Sequence, residues 1–295
     1  MNEVKRVLQS SRLLPPGIAT AVYFTLLLFL VRFVDVFYLR SDEWFGEQVV
    51  TKVAGIICIL LYLWFHRLPL RSIGLNRFRL QEALFWGTAI ILLALAAGYF
   101  SEWLFLLLVG QGPTFHVNPQ GNSLVPDVPV YGSLGFAAIL LAGNVVNSLM
   151  EEGFFRGFLL FQLEGRVSVR VAVLVQAVLF GLWHLFWPVR DFLTGQTDLL
   201  TCVVTCLVYG SISTVIGIAW GLLYCRTRNL WSVIVAHTLN NSVLNVLHIT
   251  AIDGPPGTIG IRTTVIVIVF LVSTLLLVRF GKKDSEPNVR GASFR

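Results

Sequence analysis

Apolar residues run through this chain in stretches of about 20, the length of a helix that crosses a hydrocarbon layer of about 30 Å. The pattern sets such segments at 18–39, 49–65, 83–108, 133–160, 168–187, 200–224, 231–249 and 262–280, which predicts eight transmembrane helices. Between the third and fourth, the stretch from Gly110 to Gly132 carries Pro113, Pro119, Pro126 and Pro129, no Lys or Arg, and no helical period. It reads as an external connection. The polar tail after Lys282 reads as disordered.

The connections test the count. Lys5, Arg6 and Arg12, then Arg67, Arg71, Arg77 and Arg79, then Arg156, Arg166 and Arg170, then Arg226 and Arg228, and finally Arg279, Lys282, Lys283, Arg290 and Arg295 fall on alternate connections. The intervening ones hold Asp42, Glu43, Glu47, Asp127, Asp191, Asp198 and Asp253. Positive charge favours the cytoplasmic side, so eight spans with both termini in the cytoplasm are expected. The basic N-terminus followed by an apolar run has the outline of a signal peptide, but no small-residue cleavage pattern follows, and the segment reads as a retained first span.

Composition agrees with a membrane solvent. Of 295 residues, 56% are hydrophobic and only 13% charged, against roughly a quarter charged in a soluble domain. The net charge of +6 follows the loops, so it does not point to nucleic acid. Cys58, Cys202, Cys206 and Cys225 lie in or at the end of apolar segments and imply no disulfide framework. Cys202 and Cys206 share a helical face but lack His or carboxylate partners nearby, so packing explains them better than metal. There is no internal repeat of the kind that marks many transporters.

Ionisable side chains inside membrane helices cost about 2.5–3.5 kcal/mol each on insertion scales, so a cluster of them is a functional-site hypothesis. Such clusters stand on the fourth, fifth and seventh segments. On the fourth, Glu151 and Glu152 are separated by about 100° around a helix and must do different jobs. Glu152 and Arg156 have the spacing and order of an intrahelical ion pair. Asn144, Asn147 and Glu151 form another stripe, which leaves Glu151 as the unpaired acid, suited to proton transfer. The fifth segment carries Phe180 and His184 among mostly apolar neighbours. On the seventh, His237, Asn241, Asn245 and His248 lie on one helical face. Hydrogen-bonded glue between helices is the bland reading of that seam, at roughly 1 kcal/mol or less per bond, but two imidazoles and two amides are more polarity than packing needs.

These residues resemble the CPBP family of intramembrane proteases, also called the CAAX-protease or Abi family. Glu151-Glu152-Gly153-Phe154-Phe155-Arg156 looks like its EExxxR motif, Phe180 to His184 like FxxxH, and His237 to Asn241 like HxxxN. Arg71 to Leu75 resembles the short amphipathic element that often precedes the family's core. The resemblance implies an all-α membrane protein in three parts. These are the first three helices and external loop (1–130), a catalytic core (131–250), and a last helix with its tail (251–295). It also implies a catalytic centre of Glu151, His184, His237 and Asn241, supported by Glu152, Arg156, Phe180, Asn147 and Asn245.

Peptide hydrolysis needs an activated water, oxyanion donors and an acid for the leaving amine. Glu151 would serve as base and then acid, with His184 holding the water. His237 and Asn241 would be the oxyanion donors. Glu151, His184 and His237 also make a zinc ligand set, but ligation would remove the obvious base, so no cofactor is the preferred reading. The expected partners are the bilayer and a membrane-embedded or membrane-associated peptide or protein substrate, in the plasma membrane if the source is bacterial. Oligomeric state is not written in the sequence. A non-proteolytic scaffold or regulator retaining the core, and a proton-coupled transporter, are the rival functions. One difficulty is visible beforehand. Measured from Gly165 and from Arg228 at about 1.5 Å per residue, Glu151, His184 and His237 stand at unequal heights in ideal upright helices.

Overall fold

The computed structural model describes residues 17–45, 47–119, 134–251 and 258–281. Lys5, Arg6, Arg12, Asp127, Asp253 and the tail from Lys282 lie outside the described residues, as does most of the Gly110–Gly132 connection.

Helices lie on each predicted segment: α1 (Ile18–Leu39), α2 (Val49–Phe65), α3 (Leu80–Leu108), α4 (Leu134–Glu152), α5 (Val169–Trp183), α6 (Phe186–Leu193), α7 (Leu199–Thr227), α8 (Trp231–Val246) and α9 (Ile259–Phe280). Among the described residues five helical stretches are long and apolar enough to cross a membrane, namely Ile18–Leu39, Leu80–Leu108, Val169–Leu193 (α5 and α6 taken together), Leu199–Thr227 and Ile259–Phe280. The molecule is thus a multi-pass, essentially all-α membrane protein. Its outer surface carries large apolar side chains such as Leu26, Leu108, Leu200 and Leu207, while Arg156, Glu152, Asn144 and Ser148 are fully buried. That inversion of the soluble pattern is what lipid as solvent requires.

Without a hydrophobic drive between helices in lipid, close approach comes from small residues. A methyl group on Gly87 of α3 would lie 2.1 Å from the Ser232 carbonyl oxygen of α8, and one on Gly98 would lie 2.8 Å from the Arg262 carbonyl oxygen of α9. Gly181 of α5 meets Thr214 and Gly210 of α7 in the same way. Gln176 of α5 adds a polar clasp, donating from Nε2 to the Val173 carbonyl at 2.9 Å and across to Gly217 of α7 at 2.8 Å. Ser168 caps α5 by accepting from the Val171 N–H at 3.3 Å, and Asp198 caps α7 by accepting from the Thr201 N–H at 2.7 Å.

Three departures from the sequence reading shape the interior. First, α4 passes into a π-helical segment, Gly153–Leu159, before a last α-turn at Leu160–Leu163, so the EExxxR motif straddles a change of helical pitch. Second, the fifth segment does not run unbroken to 187. It ends at Trp183, and α6 begins at Phe186 with Pro188 in its first turn. A proline there has no N–H for the carbonyl of His184, four residues back. Third, the seventh segment stops at Val246 rather than 249. Leu247–Thr250 is a strand (β2) paired antiparallel with Thr114–Val117 (β1), His116 opposite His248. His248 therefore leaves the polar seam of α8, and its Nε2 lies 2.9 Å from the Asn118 carbonyl oxygen.

The unequal heights are resolved at the turns. Between α4 and α5 the stretch from Glu164 to Ser168 is not helical, so α5 rises about 21 Å from Val169 to Trp183, close to the climb of about 20 Å from Glu164 back to Glu151. The turn between α7 and α8 is sunk into the body, with Asn229 and Leu230 fully buried. The Leu230 N–H donates to the Gly74 carbonyl at 2.8 Å, and Asn229 Nδ2 donates to the Phe78 carbonyl at 2.8 Å. The receiving segment is the 3-10 turn Leu70–Ile73 with Gly74 in the left-handed region at φ 87°, which is the stretch singled out as Arg71 to Leu75. Sinking the turn sets His237 at the level of Glu151.

Candidate active site

A cavity of about 190 Å³ opens among α1, α2, α4, α5, α7, α8 and α9, and Glu151, His184, His237 and Asn241 all line it. Glu151 is buried on α4. It is not the unpaired acid that helix geometry suggested: its Oε1 accepts from the Lys52 ammonium of α2 and from Trp183 Nε1 of α5, the latter at 2.9 Å. Its other oxygen, Oε2, stands 4.0 Å from His237 Nε2. That spacing is too long for a hydrogen bond, yet one water at an ordinary distance of about 2.8 Å can touch both atoms.

His237 is fixed on every side but one. Its Nδ1 lies 2.8 Å from Glu152 Oε1, which also accepts from Arg156 Nη1 at 3.1 Å. Trp220 of α7 stacks on the ring at 4.3 Å between centroids, with 31° between planes. Asn147 Nδ2 reaches Nε2 at 3.5 Å. Glu151 and Glu152 do point in different directions, Glu152 bonding Nδ1 of the imidazole and Glu151 facing its Nε2 across 4.0 Å. Arg156 is fully buried, with its guanidinium 4.2 Å above the Phe180 ring. Phe180 turns its edge to His184 at 4.5 Å between centroids.

The break after Trp183 is what presents His184. Its backbone N–H turns to the Gly181 carbonyl at 3.1 Å, so the Phe180 carbonyl accepts from its Nδ1 at 2.8 Å instead, and Nε2 is left for the cavity. On α8, Asn241 Oδ1 accepts from Asn240 Nδ2 at 3.2 Å, so the Asn241 amide N–H₂ is available as a donor. Asn245 donates to Asn144 Oδ1 at 3.3 Å and closes the far wall.

Residues 133–243 match the family model described as Rce1-like, type II CAAX prenyl endopeptidase Rce1-like. Over that stretch, somewhat more than a third of the chain, the protein is similar to the CAAX-protease family. No curated protein matches the chain significantly. The CAAX-protease match covers α4 through most of α8, the helices that bring Glu151, His184, His237 and Asn241 to one cavity.

Two basic cavity residues escaped the motif reading, Lys52 and Arg32. Both are nearly fully buried. The signal was present in the chain, because each is a basic residue inside an apolar segment, away from the basic loops, where the insertion penalty applies as much as it does to Glu151. Glu102 of α3 and Arg262 of α9 are a further buried pair at 3.4 Å, with Arg262 4.5 Å over the Tyr99 ring, and neither lines the cavity. Among the described residues, no three His, Cys, Asp or Glu side chains gather as a metal-holding group. Cys202 and Cys206 are free thiols.

Proposed function

We propose that this protein is an intramembrane endopeptidase in which Glu151 activates a water against a peptide carbonyl. The observation that carries the reading is the pair of cavity-facing atoms, Glu151 Oε2 and His237 Nε2, 4.0 Å apart and able to share one water. Because Lys52 and Trp183 both donate to Oε1, Oε2 is the oxygen left to take the proton. The hydroxide adds to the carbonyl carbon and the oxyanion forms. The same carboxyl group then returns the proton to the departing nitrogen as the C–N bond breaks. The Asn241 amide is the first oxyanion donor. His237 takes a different share from the one its motif suggests: with Nδ1–H committed to Glu152, a neutral ring presents Nε2 as an acceptor, so it orients the water and donates only when protonated. His184 Nε2 holds the second side of the water.

In this reading no step needs a metal, and the protein has eight spans with both termini in the cytoplasm and its catalytic core within 131–250. The substrate is a membrane-embedded or membrane-associated peptide or protein. The test uses purified, monodisperse protein against the membrane proteome of a cell from which it has been deleted. Wild type generates new peptide termini, whereas Glu151→Gln, His184→Ala and His237→Ala lose cleavage by at least 10²-fold, the lower end for removal of an acid–base group. Turnover retained in Glu151→Gln sinks the assignment of the base. Loss of turnover on chelation, restored by zinc, sinks the metal-free mechanism. A cellular phenotype fully rescued by the three dead variants makes the protein a scaffold instead.

A further inference from the structure

The sheet that follows α8 has one occupied edge and one open edge. The Asn118 N–H donates to the Val246 carbonyl at 2.8 Å, and the register sets His116 opposite His248 and Thr114 opposite Thr250. Bonded and non-bonded pairs alternate along an antiparallel ladder. Thr114, His116 and Asn118 therefore bond toward β2, while the N–H and C=O groups of Phe115 and Val117 point away from it. Two bonds on β2 have the same phase. The Leu247 N–H donates back to the Val243 carbonyl, and the Leu247 carbonyl accepts from the Tyr99 hydroxyl at 2.6 Å, so α8 and α3 occupy the outer edge of β2. On the outer edge of β1, Phe115 and Val117 make no hydrogen bond among the described residues. All four residues of β1 are exposed, Phe115 at 53% and Val117 at 76%. The strand carries no Lys, no acid and no proline to blunt that edge. Unpaired edge groups are not tolerated in hydrocarbon, and in water they are a template for another strand.

The place of the sheet says which strand. β2 begins at Leu247, just beyond Asn245, which lines the cavity. We propose that the open edge of β1 docks an extended stretch of the peptide substrate as a third strand, an inference that rests on the endopeptidase reading above. Main-chain bonds give such a site its affinity with little demand on sequence, and side chains such as Phe115 and Val117 favour apolar or β-branched neighbours. Val117, opposite Leu247, is the end of β1 nearer the cavity. From His237 to Leu247 the chain climbs about 15 Å at about 1.5 Å per residue. An extended peptide covers that height in about four or five residues. The docked stretch therefore lies about four or more residues from the bond that is cut, outside the cavity that holds Glu151.

Fluorescence anisotropy titration of the full-length protein in detergent tests the site without turnover. The probes are dansyl-Thr-Val-Thr-Val-Thr-Val amide and the same peptide N-methylated at every residue, which keeps the side chains and removes the donors. Wild type is expected to bind the first at least tenfold more tightly than the second. Phe115→Pro combined with Val117→Pro deletes two outward N–H groups and no bond to β2. That variant should bind the unmethylated peptide at least fivefold more weakly than Phe115→Ala combined with Val117→Ala, which truncates the same side chains but keeps both N–H groups. If the proline variant does not elute as a single species, the two peptides against wild type carry the test. Equal binding of both peptides, no binding of either, or equal affinity of the proline and alanine variants overturns the proposal. So does a dimer that the proline substitutions dissociate and the peptide does not, because a second copy of the chain then holds the edge. Edge-dependent binding in wild type and Glu151→Gln, with no protein cleaved by wild type, keeps the docking site and sinks the protease. Cleavage that the proline and alanine variants perform equally fast, with no discrimination between the peptides, does the reverse.

Discussion

Glu151 shares one oxygen between an ammonium and an indole N–H and turns the other to the cavity. A buried ion pair adds little net stability, but breaking it from one side leaves a charge stranded, at about 3–5 kcal/mol. Lys52→Met should therefore destabilise the protein by about that amount, and Lys52→Met combined with Glu151→Gln should restore most of it. Unfolding of the purified variants in detergent measures both. Additive losses in the double variant would show that the two side chains are not coupled. The motif residues at this scale were legible because the insertion penalty makes each intramembrane acid or imidazole conspicuous. Lys52 and Arg32 were equally conspicuous, but they lie on α1 and α2, and nothing in a linear sequence says which distant helix a lone cation will meet. The Glu152–Arg156 pair was legible from spacing. The second engagement of Glu152, with His237, was not, because it crosses between helices.

The helices themselves were drawn well by hydropathy wherever lipid alone decides, as in α2 and α9, and less well where tertiary contact intervenes. The end of α8 is an example, since Leu247–Thr250 is apolar enough to continue the helix but is captured by β1. The sharper case is the α5–α7 contact. A methyl on Gly181 would fall 2.1 Å from Thr214 Oγ1 and 2.7 Å from the Gly210 carbonyl oxygen, whereas one on Gly153, inside the EExxxR motif, would have no neighbour nearer than 3.8 Å. Gly181→Ala should cost about 1–3 kcal/mol by overpacking. Gly153→Ala should be neutral or gain up to about 1 kcal/mol from helix propensity. Thermal unfolding of the two variants side by side checks this, and a Gly153→Ala loss equal to that of Gly181→Ala would mean the π-helical segment itself demands glycine.

Across the whole molecule, the basic and acidic connections predict which turns meet which compartment. In a cysteine-free background, a membrane-impermeant maleimide added to intact cells should label Gln196→Cys, in the turn between α6 and α7, and should reach Arg71→Cys only after lysis. The opposite pattern inverts the orientation. What composition could not give was the relative depth of the helices, because depth is set by the buried Asn229 and Leu230 and their hydrogen bonds to Phe78 and Gly74. The enclosure of His237 has a bearing on energetics at this scale. Its Nδ1 is sealed behind Glu152 and Arg156, and Trp220 leans over the ring, so traffic of hydrogen ions through the imidazole has a single port, and every ion that enters there must leave by it. A catalytic cycle confined in that way transfers no net charge from one compartment to the other, and turnover in sealed vesicles should be indifferent to an imposed voltage, although moving one elementary charge through 100 mV is worth about 2.3 kcal/mol.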